Sequence, residues 1–403
     1  MKSVKYLILG AGPSGLTFAN SLLRAGEDDF LVLEMEAEAG GLCRSADVDG
    51  SPFDIGGGHF LDVRDPGVVE YMSSFLPIEE WDKYERDSQI DLYGDMMGSP
   101  IEANIWQLPE DKQKKYLDSI AIAGCNTGEA KPLEFTKWIV WKLGSAIAED
   151  YMIPYNQKMF GEDLDLLGTY WLEKLPNVSY EETKLSCENH KPYGTQPGHA
   201  VFYYPKKYGY GEAFKRMGEA LGDRIKYNTK IESIDYDRKI VNGEFEGKII
   251  INTIPLKSVG KHINLPDQYL GIIDSLKYST VVTSYEEEKL DTKAHWIYYP
   301  DPKLSYHRIL VRHNFCPDSK GYWTETNLTR FDQKANKDKT YFINEYSYPL
   351  NTIGKPEAMK ELLEYTQSKG IYGLGRWGEW QHYNSDVVMR RAMDMAGRFM
   401  DKE

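Results

Sequence analysis

A strand–glycine turn–helix–strand unit at residues 5–44, a helix-rich stretch at 66–185 and alternating β-rich runs at 257–350 predict an α/β protein. The expected architecture is a Rossmann-like dinucleotide-binding domain with an inserted helical domain and an antiparallel-sheet substrate domain. At 403 residues the chain has room for two or three domains. The expected boundaries give the dinucleotide domain residues 1–68, 201–256 and 360–403, the helical domain 69–200 and the sheet domain 257–359.

The first unit carries the strongest signal. Tyr6 to Leu9 is a short apolar run suited to a buried strand, and Gly10, Gly12 and Gly15 follow as GxGxxG. Gly10 permits the tight turn, Gly12 lets the backbone approach a pyrophosphate, and Gly15 lets helix and strand pack closely. Leu16, Ala19, Leu22 and Leu23 recur at helical spacing up to Gly26. The helix N-terminus offers unpaired N–H groups to phosphates. Phe30 to Leu33 is a second apolar strand, with Glu34 at its tip, 19 residues beyond the third glycine. A carboxylate there accepts ribose hydroxyls and disfavours a 2′-phosphate, which argues against NADP in this site.

Composition narrows the function classes. The net charge of −14 argues against nucleic acid and anionic membranes as partners, so an anionic substrate must be held by local cations. Cys43, Cys125, Cys187 and Cys316 are far apart and form no CxxC, which fits a reducing, cytoplasmic setting and excludes a zinc ribbon. The first strand begins almost at the N-terminus with no signal peptide ahead of it. No apolar segment approaches the ~20 residues of a membrane span. Asn177-Val178-Ser179 and Asn327-Leu328-Thr329 match the glycosylation acceptor pattern and are read as chance. No metal-ligand cluster is expected; His307 and His313 do not have a common ligand spacing.

Further along, Gly40-Gly41-Leu42-Cys43-Arg44 is a second glycine turn ending in a cation. Phe53 to Phe60 places Gly56, Gly57 and Gly58 before His59, which implies backbone brought close to something flat or bulky. Asp65-Pro66 starts a helix through Val69, Met72 and Phe75, and Leu133 to Ile147 has apolar side chains at helical spacing. Tyr151 to Pro176 mixes Tyr155, Asn156, Lys158 and Phe160 near Gly161; ligand stacking and core packing are both open readings there. Residues 186–200 read as a loop. Phe202 to Pro205 leads through Gly209-Tyr210-Gly211 into an amphipathic helix, Ala213 to Leu221. Short strands follow at Ile225–Tyr227, Ile231–Tyr236 and Lys248–Thr253. Strict alternation puts Tyr306, Arg308, Leu310 and Arg312 on one strand face, where two cations hold a phosphate or simply face solvent. At the end, a strand closes in Gly373-Leu374-Gly375-Arg376 and a helix begins near Asn384 or Ser385, both good N-caps.

Together these landmarks resemble the UDP-galactopyranose mutase family, within the amine-oxidase-like, glutathione-reductase-type FAD flavoproteins. The resemblance spans nearly the whole chain and is weak between the motifs. It implies FAD as cofactor, contacted by Gly10, Gly12, Pro13, Ser14, Gly15, Glu34, Met35, Gly41, Leu42, Arg44, Gly57, Gly58, His59, Ile231, Arg376, Ser385, Asp386 and Val387. Gly57-Gly58-His59 is similar to the family's GxH segment beside the flavin, and His307-Arg308-Ile309 to its Thr-Arg-Ile, whose arginine binds a diphosphate. Glu345-Tyr346 resembles its Glu-Tyr pair, and Arg376 through Asn384 its C-terminal flavin and sugar loop. The implied catalytic set is His59, Arg308, Tyr346 and His382. The implied substrate contacts are Tyr155, Asn156, Phe160, Lys184, Tyr204, Tyr383 and Asn384.

The activity this implies is nucleotide-sugar ring interconversion, pyranose to furanose, with N5 of reduced flavin as nucleophile, in the supply of cell-surface polysaccharide precursors. NAD(P)H or another reductant and a homodimer are compatible with it. The chain departs from the family at four places. No arginine stands near Val178, where the second diphosphate arginine is expected, and Lys184 is the nearest following cation. Phe160 replaces Trp, His382 replaces Tyr and Asn384 replaces Asp. A different nucleotide sugar, or a substrate without a nucleotide, fits these changes. An FAD-dependent oxidase or dehydrogenase of the amine oxidase or protoporphyrinogen oxidase type, and a non-catalytic flavin-binding protein, are the alternative readings.

Overall fold

The computed structural model describes residues 1–172, 178–194, 200–259 and 262–401. Pro176, Asn177 of the first acceptor pattern and part of the expected 186–200 loop lie outside the described residues.

Continuous apolar runs build the first sheet. Strands Ile225–Lys226, Phe30–Leu33, Lys2–Leu9 and Phe245–Asn252 lie side by side in parallel, and Ile371–Gly373 adds to the far edge of the last. Their register aligns Leu33, Leu9, Asn252 and Gly373, so the strands end along one edge. Tyr6, Ile8, Phe30 and Val32 face one way, onto the first helix, Pro13–Arg24, and the C-terminal helix, Ser385–Met400. Leu7, Leu9, Leu31 and Leu33 face the other, onto the helix Lys355–Ser368. Both faces of a parallel sheet are thereby covered, which explains why its strands read as unbroken apolar runs rather than alternating ones.

A second sheet has the order Tyr341–Pro349, Tyr278–Glu286, Tyr322–Asn327, Arg308–Leu310, Trp296–Tyr298, Ser88–Leu92, Asp95–Gly98. Its pairings are antiparallel except that of Ser88–Leu92 with Trp296–Tyr298. The 88–98 hairpin therefore departs from the helical reading of 66–185. Ile90 and Leu92 alternate ahead of a turn in which Tyr93 and Gly94 both have positive φ, a hairpin signal the surrounding helices obscure. Leu61–Asp62, Val201–Pro205 and Trp81–Glu85 form a separate three-stranded sheet, so Phe202 to Pro205 is not a strand of the first sheet. Helices Glu110–Ala121, Phe135–Ile147 and Ile153–Phe160 bury Ile120, Phe135, Ile139 and Phe160 in a core shared with Ile90, Leu92 and Met97 of the 88–98 hairpin. Helix Tyr180–Asn189 begins at a capping box of Ser179 and Glu182 and occupies the start of the stretch read as a loop.

Strand Arg308–Leu310 is short, and this overturns the expected pairing of Arg308 with Arg312. Beyond Val311 the chain turns into a single 3₁₀ turn. Arg312 is buried there, donating Nε and Nη2 to the Pro52 carbonyl and lying over Tyr204, Phe315 and Trp323. Strand alternation does not survive such a turn.

At the glycine turn, a Cβ on Gly15 would stand 2.0 Å from the Gly10 carbonyl oxygen, a backbone atom that cannot move aside. Gly15→Ala is expected to destabilise the protein by about 1–3 kcal/mol or more through overpacking. Urea unfolding of the purified variant checks this; an unchanged midpoint would contradict the close packing.

Candidate active site

The aligned strand ends open into a cleft of about 640 Å³. Gly10, Gly12, Pro13, Ser14, Glu34, Met35, Gly41, Leu42, Arg44, His59, Ile231, Arg376 and Ser385 line it, together with Tyr346, Tyr383 and Asn384. A second cavity of about 190 Å³ adjoins it, lined by Gly58, His59, Arg308, Arg376, His382, Asn384, Ser385 and Asp386 among others. His59, Arg376, Asn384 and Ser385 belong to both walls and mark where the two meet.

The larger cleft fits a dinucleotide. A Cβ on Gly12 would meet nothing within 4 Å, so this backbone faces open space. Gly12 caps the first helix without a side-chain partner, which leaves first-turn N–H groups directed at the cleft. Gly41 backs onto Gly12, with its built Cβ 3.1 Å from the Gly12 Cα. Glu34 is buried and accepts from the N–H groups of Ala11 and Glu36 at 2.6 and 2.9 Å. Burial pushes its carboxyl above the ordinary value, and those two donors oppose the rise. Asn384 stands at the N-cap of the C-terminal helix, whose first turn meets the same cleft.

Arg376 spends its donors on backbone: Nε and Nη2 on the Tyr383 carbonyl at 2.9 and 2.7 Å, and Nη1 on the Ser347 carbonyl at 3.1 Å. It fixes the C-terminal loop against the strand Tyr341–Pro349 and contributes a positive charge to both cavities. Arg308 donates Nη2 to Glu325 and, at 3.4 Å, to the Tyr348 hydroxyl, while its Nε is buried without a protein partner. Glu325 is buried, and its other oxygen accepts the Gly58 N–H at 3.1 Å. Burial pushes this carboxyl up, but Arg308 beside it and the hydrogen bonds it accepts hold it at about 2. One ionised carboxylate thus ties the glycine–histidine turn to the arginine. His382 packs on Tyr348 at 5.0 Å, and Tyr346 on Tyr278 at 4.4 Å.

Several expected residues sit elsewhere. Gly15 and Gly57 are structural, the first against Gly10 and the second over Glu325. Val388, not Val387, lines the cleft, because it lies one helical turn from Ser385. Tyr204 is fully buried, donating its hydroxyl to Asp54 at 2.8 Å beneath Arg312, and does not reach either cavity. Lys184 is exposed on its helix and lines neither cavity. Phe160 packs in the helical core against Trp171, and Asn156 donates to the Met152 carbonyl. Tyr155 is buried behind the smaller cavity, edge-on to Tyr298 at 5.6 Å and His307 at 6.0 Å. Arg86, Trp296 and Tyr348, which line the smaller cavity, were missed. No motif surrounds them; long-range pairing brings them in.

His59 holds Nδ1 3.0 Å from the Gly57 carbonyl and lies parallel to Tyr210 at 6.2 Å. Burial, reinforced by the Arg376 charge, pushes its imidazole down to about 4. His295 is pushed to about 4 and His307 also down, each chiefly by burial. The unfolded chain takes these protons near pH 6.5 while the folded one does not, so stability is full above that pH and falls as pH drops toward 4. Urea midpoints measured between pH 7 and 4.5 should decline, and His59→Asn should decline less steeply; parallel curves would contradict a neutral His59.

Comparison with known proteins agrees with this geometry. The model of the family described as flavin containing amine oxidoreductase matches residues 13–287. The fold is similar to that of reduced UDP-galactopyranose mutase, at TM-score 0.91 and 23% identity over 99% of this chain and 96% of that one. It is also similar to a putative protoporphyrinogen oxidase from Exiguobacterium sp. 255-15, at TM-score 0.72 and 16% identity over 100% and 99%. Cyclohexylamine oxidase from Brevibacterium oxydans IH-35A matches at TM-score 0.67 and 14% identity over 99% of each chain. An uncharacterized protein in the nifH2 3′ region of Methanothermococcus thermolithotrophicus is 47% identical over 53 residues, 13% of this chain and 50% of that protein. The match thus spans half the length of that relative. Among the described residues no helix is long and apolar enough to cross a membrane, and no cluster of metal-ligating side chains occurs. With an open glycine turn and a buried Glu34 at the strand ends, and a family match over more than half of the sequence, this chain is a member of the flavin-containing amine oxidoreductase family, with FAD as its cofactor.

Proposed function

We propose that this protein interconverts the pyranose and furanose forms of a nucleotide sugar, in the manner of UDP-galactopyranose mutase. The observation that carries the reading is Arg308, which lines a small cavity beside His59, where the dinucleotide cleft ends. An oxidase acting on a neutral amine or polyene has no need of a guanidinium there; a departing diphosphate does. Bound and reduced, FAD supplies a nucleophilic nitrogen for this chemistry.

The chain's own residues then have defined tasks. Glu325 holds Arg308 in place, so that its remaining donors meet the diphosphate without reorganising. His59, neutral near pH 7, closes the flavin side of the cavity without adding charge. Tyr346, Tyr383 and Asn384 line the cleft where the sugar meets the cofactor, and His382 faces it from the Tyr348 side. Tyr155 supports the wall behind Tyr298. Supply of furanose units for surface polysaccharides follows from such an activity. A second reading, an FAD-dependent oxidase, has the family's amine oxidoreductase description in its favour.

The two readings separate under anaerobic conditions. Protein reduced with dithionite is offered a panel of nucleoside diphosphate hexopyranoses, and the products are resolved by chromatography. A five-membered-ring isomer formed with no net use of reductant supports the mutase. No isomer from any donor, with amine-dependent bleaching of the oxidised flavin, supports the oxidase. Arg308→Gln is expected to lower kcat by on the order of 100-fold or more while FAD content is kept, measured in the same isomer assay.

A further inference from the structure

The expected second diphosphate cation, near Val178, does not exist in this chain, and Val178 itself is a buried apolar residue. The smaller cavity contains another arginine that no motif announces. Arg86 lies between strands Trp81–Glu85 and Ser88–Leu92 and lines the cavity opposite the C-terminal loop. Its placement is fixed by three contacts. Nε donates to the Ser88 hydroxyl at 2.7 Å, Nη2 donates to the Tyr298 hydroxyl at 2.8 Å, and the guanidinium lies 4.6 Å over the Trp296 ring. Among the described residues no carboxylate pairs with it.

Tyr298 joins Arg86 to Arg308. It is the cross-strand partner of Arg308 and accepts from Arg86. Burial pushes its phenol up, yet the two guanidiniums outweigh this and hold it below the ordinary value, as expected of a hydroxyl placed between two cations. Arg376 adds a third positive charge, with each of its three nitrogens donating to a backbone carbonyl. Against these stand Asp386 in the wall and Glu325, already paired with Arg308. Among the described residues only Nη2 of Arg308 has side-chain partners, so donors on both arginines are unused there while the cavity carries surplus positive charge. Two cations fixed around one small space are suited to an oxyanion with several acceptor atoms.

We infer that Arg86 and Arg308, bridged by Tyr298, form the seat for the anionic group of the substrate, a diphosphate if the function proposed above holds. The seat draws its second cation from the link between strands Trp81–Glu85 and Ser88–Leu92 rather than from the helical layer. The anion then sits in the smaller cavity within reach of both Arg86 and Arg308. Arg86 is a substrate-binding and specificity-determining residue that neither the glycine motif nor the Arg308 motif reveals.

The test uses the FAD-loaded protein. Inorganic pyrophosphate and UDP are titrated separately, and the Kd of each is read from perturbation of the flavin visible spectrum. Arg86→Gln is expected to raise both values roughly 10- to 100-fold with flavin content unchanged, and Arg86→Lys by a smaller factor, at least threefold, because a point charge lacks the two-pronged donor geometry. A Kd for pyrophosphate within twofold of wild type in Arg86→Gln overturns the seat. If that variant does not fold, an unchanged Kd in Arg86→Lys overturns it equally, as does wild-type protein that binds neither probe. Arg86-dependent pyrophosphate binding without ring isomer from any nucleotide sugar would leave the seat standing and remove the mutase reading. Isomer formed with an unaltered KM in Arg86→Gln would do the reverse.

Discussion

Backbone meeting backbone at the edge of the parallel sheet is the constraint on which the rest depends. Gly15 rides on the Gly10 carbonyl, and a Cβ on Gly378 would stand 2.1 Å from the Asn252 carbonyl. The first contact sets the first helix tight against its strand. The second docks the C-terminal loop on the neighbouring strand's end. Between them they bring residues near 12, 34 and 384 around one cleft, although the last lies about 350 residues beyond the other two in sequence. Side chains at either contact would prise the elements apart by more than packing could recover.

Electrostatics then divides the cleft by task. The larger part offers N–H groups, helix ends and a buried acid, a surface for phosphates and ribose. The smaller part gathers guanidiniums. Glu325 ties the turn bearing His59, which lines both parts, to the arginine of the smaller one, since one oxygen takes the Gly58 N–H and the other the Arg308 guanidinium. A neutral amide there would keep some of the hydrogen bonding and lose the ion pair. A buried pair broken on one side leaves the other charge unsolvated, a penalty of about 3–5 kcal/mol.

How much was legible depended on whether the information was local. GxGxxG, the apolar strand before it and Glu34 after it declare themselves within 40 residues, and the nucleotide cleft formed where they indicated. Gly57-Gly58-His59 and the Arg308 segment were also found, because each is a contiguous motif. Arg312 was misjudged because a strand's alternation was extended across a turn that ends it at Leu310. Tyr204 was misjudged because an aromatic beside a glycine turn looks the same in sequence whether it faces a ligand or an aspartate. The hairpin 88–98 and Arg86 were invisible for a different reason: their meaning comes from partners such as Trp296 and Tyr298, and pairing at that distance leaves no period in the sequence.

That distance also governs how the molecule is made. The Asp87 N–H donates to His295 Nδ1 across 208 residues, at the start of the parallel pairing of Ser88–Leu92 with Trp296–Tyr298. Closing a loop of that length gains nothing until both strands exist, and such contacts form late. The glycine turn and its two strands are complete after about a tenth of the chain, whereas the wall bearing Arg86 and Arg308 waits for three quarters of it. The glycine turn is thus made early, but the larger cleft, walled also by Arg376, Asn384 and Ser385, is complete no sooner than the smaller cavity. Both cavities share Arg376, Asn384 and Ser385, so cofactor finds a finished cleft and a finished chamber at the same moment.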